Sequence, residues 1–188
     1  MVNSPKQLKD WINNMAKKNN LVANTVLQNF MMERLLERIS VSKYKDNIIL
    51  KGGFLIAAMV GIDMRSTMDM DTTVKGLIVN REVVESILNE ILSIDINDNI
   101  TFKLKGIKNI RDISEYEDFR ATIEASFFSM KVNMKLDITT GDTIIPKEVE
   151  YSFKLMFEDR EISIKAYNIN TILSEKIEYS SYETTFYN

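Results

Sequence analysis

Two stretches near the middle of the chain alternate apolar and polar residues, and this pattern is the strongest constraint on the fold. The stretches are "RATIEASF" (120–127) and "KVNMKLDI" (131–138), and in each of them every second residue is apolar. Successive side chains of a strand point to opposite faces of a sheet. Each stretch therefore predicts a strand with one covered face and one polar face.

The N-terminal part of the chain predicts helices. Ser4 followed by Pro5 is typical of a helix N-cap with proline in the first turn, and we expect this helix to run to about Lys18. A second helix is expected to begin, or to be capped, at Asn24 or Thr25.

The second helix and a later one show apolar residues at helical spacing. In the second helix these residues are Val26, Phe30, Met31, Leu35 and Ile39. The charged residues Glu33, Arg34 and Glu37 are expected to face outward. The segment "REVVESILNEIL" (81–92) is strongly amphipathic, with Val83, Val84, Ile87, Leu88, Ile91 and Leu92 on one side.

Further strands and a last helix complete the expected architecture. Strands are predicted in "NIILKGG" (47–53) and "TFKLKGI" (101–107), and a hairpin in "YSFKLMF" (151–157) with "EISIKAY" (161–167). A final helix, "NINTILSEKIEYSSY", is expected to carry Ile172, Leu173 and Ile177 inward. The pattern predicts an α+β fold, in which helices pack on one face of a mixed or antiparallel sheet.

The composition narrows the chemistry that the chain can perform. The 188 residues are 45% hydrophobic, which is enough for one domain with its own core, and they include no cysteine and no histidine. Disulfides, zinc sites built on cysteine, and catalysis by a histidine base are therefore excluded. Any metal ligands must be oxygen atoms, which suit Mg²⁺, Mn²⁺ or Ca²⁺.

Charge and hydropathy bear on the partners and the location. The formal net charge is −3, which argues against a broad basic surface for duplex DNA and leaves room for a local basic groove. No apolar run reaches membrane-spanning length, and the N-terminus lacks the apolar core of a signal peptide. We expect a soluble cytoplasmic protein with no membrane partner.

Three aspartates are the candidate metal ligands. Asp69 and Asp71 occupy alternate positions of a predicted strand, so they point to the same face, roughly 6.6 Å apart. Two such acids repel each other unless a cation lies between them. Asp137 lies on the polar face of another strand. Together the three carboxylates could bind one or two divalent ions, and paired metals stabilise both oxygens of a phosphoryl displacement.

A glycine pair between a strand and a helix is the candidate phosphate site. The backbone N–H groups of Gly52 and Gly53 lie where a helix N-terminus can bind phosphate oxygens. Lys51 and Arg65 could supply positive charge to a triphosphate.

Each feature also has a structural explanation. A single D-x-D is often a solvated strand edge, Gly-Gly usually marks a turn, and Asp137 could simply precede the turn "TTGD". Lys51 and Arg65 could be ordinary surface charges. The features carry more weight together, in the order strand, Gly-Gly, helix, D-x-D strand and later strand aspartate.

This order of motifs resembles the DNA polymerase β-type nucleotidyltransferase superfamily, in which Gly-Gly or Gly-Ser precedes a helix and D-x-D or D-x-E follows. More narrowly, the chain is similar to the AbiEii/AbiGii toxin family over nearly its whole length. The matching segments are "VLQNFMMERLLERISVSKYKDNIILKGG" (26–53), "LKGGFLI" (50–56), "RSTMDMD" (65–71), "KLDITTGD" (135–142) and "NINTILSEKIEY" (168–179).

The resemblance implies an enzyme that transfers NMP from an NTP to an acceptor, with tRNA or another RNA as a candidate, using Mg²⁺ or Mn²⁺. Members act as toxins of bacterial toxin–antitoxin pairs and in abortive infection, a phage defence, so a cognate antitoxin is implied. The implied fold is a nucleotidyltransferase-like mixed sheet with helices mainly on one face. Three parts are implied: an N-terminal helical segment (1–45), the core (46–165) and the start of a C-terminal helical part (166–188).

The resemblance also assigns residues. Asp69, Asp71 and Asp137 would be the metal ligands, and Lys176 would contact the nucleotide. Lys176 could equally be a lysine on a helix surface. The nucleotide-binding residues would be Lys51, Gly52, Gly53, Arg65 and Ser66.

Two departures from the family pattern leave alternatives open. Phe54 follows the glycine pair, where the family usually has Thr or Ser. The family also continues into a helical part with an Arg-Asp-x-x-Asp-like block, so we expect this chain, which ends at Asn188, to be truncated. A non-catalytic nucleotide- or RNA-binding module, or a remnant that only engages a partner protein, is the main alternative. A transferase acting on small molecules such as aminoglycosides is a weaker one.

Overall fold

The structure is a computed structural model that describes residues 2–60, 69–110 and 117–174. Its helices are α1 (Pro5–Lys18), α2 (Ala23–Val41), α3 (Gly52–Val60) and α4 (Arg81–Leu92), and a further helix begins at residue 169 and is described to residue 174. Its strands are β1 (Ile48–Lys51), β2 (Asp69–Val74), β3 (Ile100–Asn109), β4 (Phe119–Phe127), β5 (Met130–Thr140), β6 (Val149–Lys154) and β7 (Glu161–Ala166).

Within the described ranges the strands form one mixed sheet in the order β3-β4-β5-β2-β1-β7-β6. Strand β2 runs parallel to β5, and β1 runs parallel to β7. The other neighbours are antiparallel, including the predicted hairpin of β6 and β7. The predicted α+β fold with a mixed sheet is confirmed.

Helices α2 and α4 cover one face of this sheet. Between them and strands β2 and β5 lies an apolar layer that includes Leu35, Leu88, Leu136 and Ile138. The alternation that predicted β4 and β5 is confirmed, because the apolar residues of both strands are buried. These residues are Ala121, Ile123, Ala125, Phe127, Val132, Met134, Leu136 and Ile138.

The first helix begins as its sequence predicts, but the second does not. The Ser4 hydroxyl accepts a hydrogen bond from the Gln7 N–H at 3.2 Å, and α1 ends at Lys18. Helix α2 begins at Ala23 after Val22, which provides no side-chain cap. The expected start at Asn24 or Thr25 was therefore wrong by one or two residues.

The charged residues of α2 are buried, which contradicts the prediction that they face outward. Glu33, Arg34 and Glu37 are 2%, 1% and 7% exposed. The segment between β6 and β7 covers this side of the helix, and its Glu158 and Arg160 supply partners of opposite charge. Burial of a charge is tolerated when such partners replace water.

The last helix is only partly as predicted. Ile172 is buried as predicted, but Leu173 is 52% exposed, so its inward placement was wrong. Ile177 lies outside the described residues. The division of the chain at residues 45 and 165 stays a prediction.

In the part of the chain that the structure describes, no helix combines the length and apolar character needed to span a membrane.

Candidate functional site

The predicted acidic residues meet on the face of the sheet opposite α2 and α4. In β2, Asp69 and Asp71 are partly exposed while Met70 and Thr72 are buried, so the two aspartates share the open face as expected. Strand β5 lies beside β2 and pairs Asp71 directly with Asp137. Paired positions of neighbouring strands are about 4.8 Å apart. The structure therefore brings all three candidate carboxylates to one surface.

The three carboxylates of Asp69, Asp71 and Asp137 form what we call the acidic pocket, and the start of α3 closes one side of it. Gly52 has a φ of +71°, and a Cβ atom at this position would lie 2.0 Å from Oδ2 of Asp71. Glycine is therefore required here both by the backbone conformation and by the close approach of the carboxylate. The Gly53 N–H donates a hydrogen bond to the Asp71 carboxylate. The predicted order of strand, glycine pair and helix is confirmed.

The electrostatics of the pocket favour a bound cation. Burial, together with the neighbouring Asp137 and Asp69, raises the pKa of Asp71, although the Gly53 N–H and Lys51 act in the opposite direction. A carboxylate whose charge is disfavoured by burial and by other acids gains most when a positive ion binds. Within the described ranges no ion pair is formed by Asp69 or Asp71 themselves.

Asp137 has a partner that the sequence did not reveal. Arg120, at the paired position of β4, donates two hydrogen bonds to it: Nε to Oδ1 at 2.7 Å and Nη2 to Oδ2 at 2.6 Å. Asp137 is the main reason that the pKa of Arg120 is raised, with smaller contributions from Asp69 and Asp71. The only sequence signal of Arg120 was its polar position on the open face of a predicted strand.

Lys51 is also engaged by a residue that was not predicted. Its Nζ lies 2.6 Å from Oδ2 of Asp142, which also accepts hydrogen bonds from the hydroxyls of Thr139 and Tyr167. Burial by itself raises the pKa of Asp142, but the hydrogen bonds from Lys51 and Thr139 outweigh it and hold the pKa below its usual value. Asp142 stands in the quoted segment "KLDITTGD", which was its only signal.

Two of the acidic side chains suit a divalent metal. The carboxylates of Asp69 and Asp71 are oxygen donors of the kind that Mg²⁺ and Mn²⁺ prefer. They lie on one face of β2, and the carboxylate of Asp71 is partly removed from water. Among the residues described, no three acidic side chains are arranged as one metal site. Asp137 is bound to Arg120. Asp69 and Asp71 would therefore be the main ligands of a metal bound in this pocket.

Three further predicted residues lie in stretches that the structure does not describe. Arg65 and Ser66 lie in the stretch 61–68, and Lys176 lies in the stretch 175–188, both outside the described residues. Their assignment to nucleotide binding stays a prediction. Phe54 is placed: it is buried, and its ring stacks on Phe153 with the centroids 5.5 Å apart. The residue after the glycine pair therefore contributes to the core.

Comparisons with known structures give two relatives of low similarity. A provisionally assigned nucleotidyltransferase from H. pylori is 16% identical, with a TM-score of 0.49 and coverage of 83% of this chain and 59% of that one. JHP933 from Helicobacter pylori is 17% identical, with a TM-score of 0.49 and coverage of 81% and 55%. The chain thus spans less than two thirds of either protein. No curated protein sequence matches it.

A family model matches most of the chain. The model described as "Nucleotidyl transferase AbiEii toxin, Type IV TA system" matches residues 34–181. This range contains the glycine pair, the three aspartates and both unpredicted partners, Arg120 and Asp142. The protein belongs to the AbiEii family of nucleotidyl transferase toxins of type IV toxin–antitoxin systems.

Proposed function

We propose that the protein transfers NMP from an NTP to an acceptor hydroxyl, with release of pyrophosphate and the hydroxyl proton, using Mg²⁺ or Mn²⁺. We also propose that it acts as the toxin of a bacterial toxin–antitoxin pair. One observation carries this proposal: Asp69, Asp71 and Asp137 share an open face beside the start of α3. The family description supports the general activity and an antitoxin partner. A role in abortive infection of phage-infected cells, a cytoplasmic location and tRNA as the acceptor belong to the proposal.

Each carboxylate has a proposed role. Asp69 and Asp71 hold the metal, and Asp137 is the third carboxylate, which positions the acceptor hydroxyl or a second ion. When bound, the metal supplies positive charge to the phosphate oxygens on which negative charge accumulates. Asp71 also fixes the orientation of the α3 start through the hydrogen bond from Gly53.

The nucleotide would bind along the start of α3. A helix N-terminus attracts phosphate, and Gly52 lets the backbone approach the site closely. Lys51, whose side chain is 14% exposed beside the pocket, would exchange part of its contact with Asp142 for a phosphate oxygen. Arg65, Ser66 and Lys176 complete the proposed nucleotide site.

A non-catalytic nucleotide- or RNA-binding module is the second candidate. Two ion pairs favour this candidate. Asp137 is bound by Arg120, and Lys51 is bound by Asp142. If these contacts persist when a nucleotide binds, the pocket lacks both its third carboxylate and its free ammonium group.

Transfer of labelled nucleotide separates the two candidates. The protein is incubated with each α-³²P-labelled NTP, Mg²⁺ or Mn²⁺ and bacterial RNA, and the label on RNA is measured. We expect metal-dependent transfer that falls to background in Asp71→Ala, because the metal loses a ligand. Asp10→Ala, which removes an exposed aspartate from α1, is the matched control and should retain full transfer.

The outcomes are distinct. Retained transfer in Asp71→Ala shows that Asp71 is not a metal ligand. Calorimetric binding of NTP with Mn²⁺, but no transfer to any acceptor, favours the binding module. Thermal unfolding of Asp71→Ala shows whether a loss of transfer comes from a loss of folding, because Asp71 also accepts the hydrogen bond from the Gly53 N–H.

A further inference from the structure

A row of charged residues crosses five strands of the sheet and passes through the acidic pocket. The registers align Lys108 of β3 with Arg120 of β4, Arg120 with Asp137, Asp137 with Asp71, and Asp71 with Lys51 of β1. The pocket is therefore flanked by cations on both sides. Lys51 lies on the side of the glycine pair, and Arg120 and Lys108 lie toward the outer strands.

The outer strands carry more positive charge on the same open face. Lys135 of β5 pairs with Asp69, and Lys103 of β3 pairs with Glu124 of β4, whose own ion pair is with Lys131 at 3.3 Å. We call Lys103, Lys108 and Lys135 the lysine face. All three are exposed, and none of them forms an ion pair with a residue that the structure describes.

A cavity with an exposed aromatic residue lies where β3 begins and β4 ends. The cavity has a volume of about 740 Å³ and is lined by residues that include Phe102, Phe128, Asn97 and Asn99. Phe128 is 59% exposed although it is a large apolar residue. Ser126, also in the lining, is six residues along β4 from Arg120, which corresponds to about 20 Å.

We propose that the lysine face binds a single-stranded nucleic acid, with phosphates on Lys103, Lys108 and Lys135 and a base stacked on Phe128. The inference rests on the proposed function and assigns the acceptor side of its site. The donor nucleotide occupies the side of α3, so an acceptor strand reaches the aspartates from the opposite side, across β4 and β5.

Charge complementarity identifies the occupant. The chain is acidic overall, at −3, yet three exposed lysines share one face of β3 and β5, and the exposed ring of Phe128 directly follows β4. Cationic grooves with stacking aromatic side chains are typical of sites for single-stranded nucleic acid. Lysine on an edge strand also prevents pairing between sheets, which accounts for Lys103 and Lys108 of the edge strand β3. It does not account for Lys135, because β5 lies inside the sheet between β4 and β2.

The test measures binding of a fluorescein-labelled single-stranded RNA 12-mer by anisotropy at several NaCl concentrations, without NTP or metal. We expect the triple variant Lys103→Gln, Lys108→Gln, Lys135→Gln to bind at least about tenfold more weakly than the wild type. In a plot of log K against log salt concentration, the slope for this variant should be smaller in magnitude by about 2. Each of the three lost phosphate contacts contributes about 0.7 to the slope for a single strand. Phe128→Ala should weaken binding about fivefold with an unchanged salt dependence.

The matched control is the triple variant Lys6→Gln, Lys9→Gln, Lys17→Gln. It removes the same charge from exposed positions of α1 and should bind as the wild type does. Equal losses in the two triple variants would show that net charge, not the lysine face, governs binding and would overturn the proposal. Absence of binding by the wild type would overturn it as well.

Failure of the proposed function would look different. Calorimetric binding of NTP with Mn²⁺ needs no acceptor, and it should be unchanged in the lysine-face variant. Lysine-dependent RNA binding without nucleotide transfer would support the lysine face and refute the transferase. Transfer to RNA at wild-type efficiency by the lysine-face variant would refute the lysine face and leave the transferase standing.

Discussion

Two forked arginine–aspartate pairs on opposite faces of the sheet show how burial changes the role of the same contact. Arg38 binds Asp98 through Nη1 at 3.0 Å and Nη2 at 2.8 Å, and both side chains are at most 3% exposed. Arg120 binds Asp137 with similar geometry, but its side chain is 36% exposed. The contacts look alike, yet water screens only the second.

The buried pair is part of the scaffold. The Arg38 guanidinium also donates hydrogen bonds to the backbone carbonyls of Arg34, Ile94 and Ile100, so it joins α2 to the chain that enters β3. A charge that is satisfied in this way fixes one arrangement of the elements around it. The open pair can exchange partners at low cost, because water or a ligand can replace either side. Such a pair suits a site that binds charged ligands.

The largest expected effect is a difference in stability between two matched arginine variants. Arg38→Met should lower the free energy of unfolding by about 3–5 kcal/mol, because Asp98 stays buried without its partner. Arg120→Met should change it by less than about 1 kcal/mol, as is usual for an exposed pair. Urea denaturation of both variants measures the two values.

Similar losses in the two variants would break this comparison. A large loss in Arg120→Met would mean that the pair with Asp137 supports the sheet, and a small loss in Arg38→Met would mean that water or another cation replaces the guanidinium at Asp98.

A second prediction concerns pH and the remaining charges of α2. Burial raises the pKa of Glu33 to about 7, against the opposing effects of Arg34 and of the hydrogen bond from the Met156 N–H. The folded state then binds this proton more tightly than the unfolded state. Glu33 therefore lowers the free energy of unfolding as the pH rises from about 4.5 to about 7, by up to about 3 kcal/mol.

The measurement compares the wild type with Glu33→Gln by urea denaturation at pH 5 and pH 7.5. The stability of the wild type relative to Glu33→Gln should fall between these values. An unchanged difference would indicate that Arg34 keeps Glu33 ionised throughout, and the α2 charges would then be as fully paired as Arg38 and Asp98.

The smallest predicted effect concerns the start of α3. Gly52→Ala should cost at least about 1–2 kcal/mol for the left-handed conformation, and its Cβ should also displace the Asp71 carboxylate. Gly106→Ala in β3 is the matched control, because its added Cβ meets no atom within 4 Å. Thermal unfolding of both variants, with Mn²⁺ binding as a second readout, measures the difference. Retained Mn²⁺ binding in Gly52→Ala would show that the metal does not depend on the position of Asp71.

Local pattern was sufficient for most elements and for the acidic residues of the site. Period two predicted β4 and β5, and it placed Asp137 on a polar face. The D-x-D spacing placed Asp69 and Asp71 on one side of β2. These predictions succeed because the direction of a side chain on a strand depends only on its position along that strand.

Pattern failed where a partner comes from a distant part of the chain. No sequence signal pointed to the partners of Arg120 and Asp142, because the register between strands and the path of the loop after β5 decide which residues they contact. The charges of α2 were placed outward for the same reason, since the partners of Glu33, Arg34 and Glu37 include residues 156–160.

The sequence by itself determined the type of most elements, the polar and apolar faces of the strands and the oxygen-only chemistry of any metal site, since those depend on residue type and local spacing. Only the tertiary structure decided that β2 lies beside β5, which brings Asp71 to Asp137, and that Arg38 is buried while Arg120 is half-exposed. The physical reason is that pairing of charges and removal of water are set by neighbours in space, which a single strand or helix does not contain.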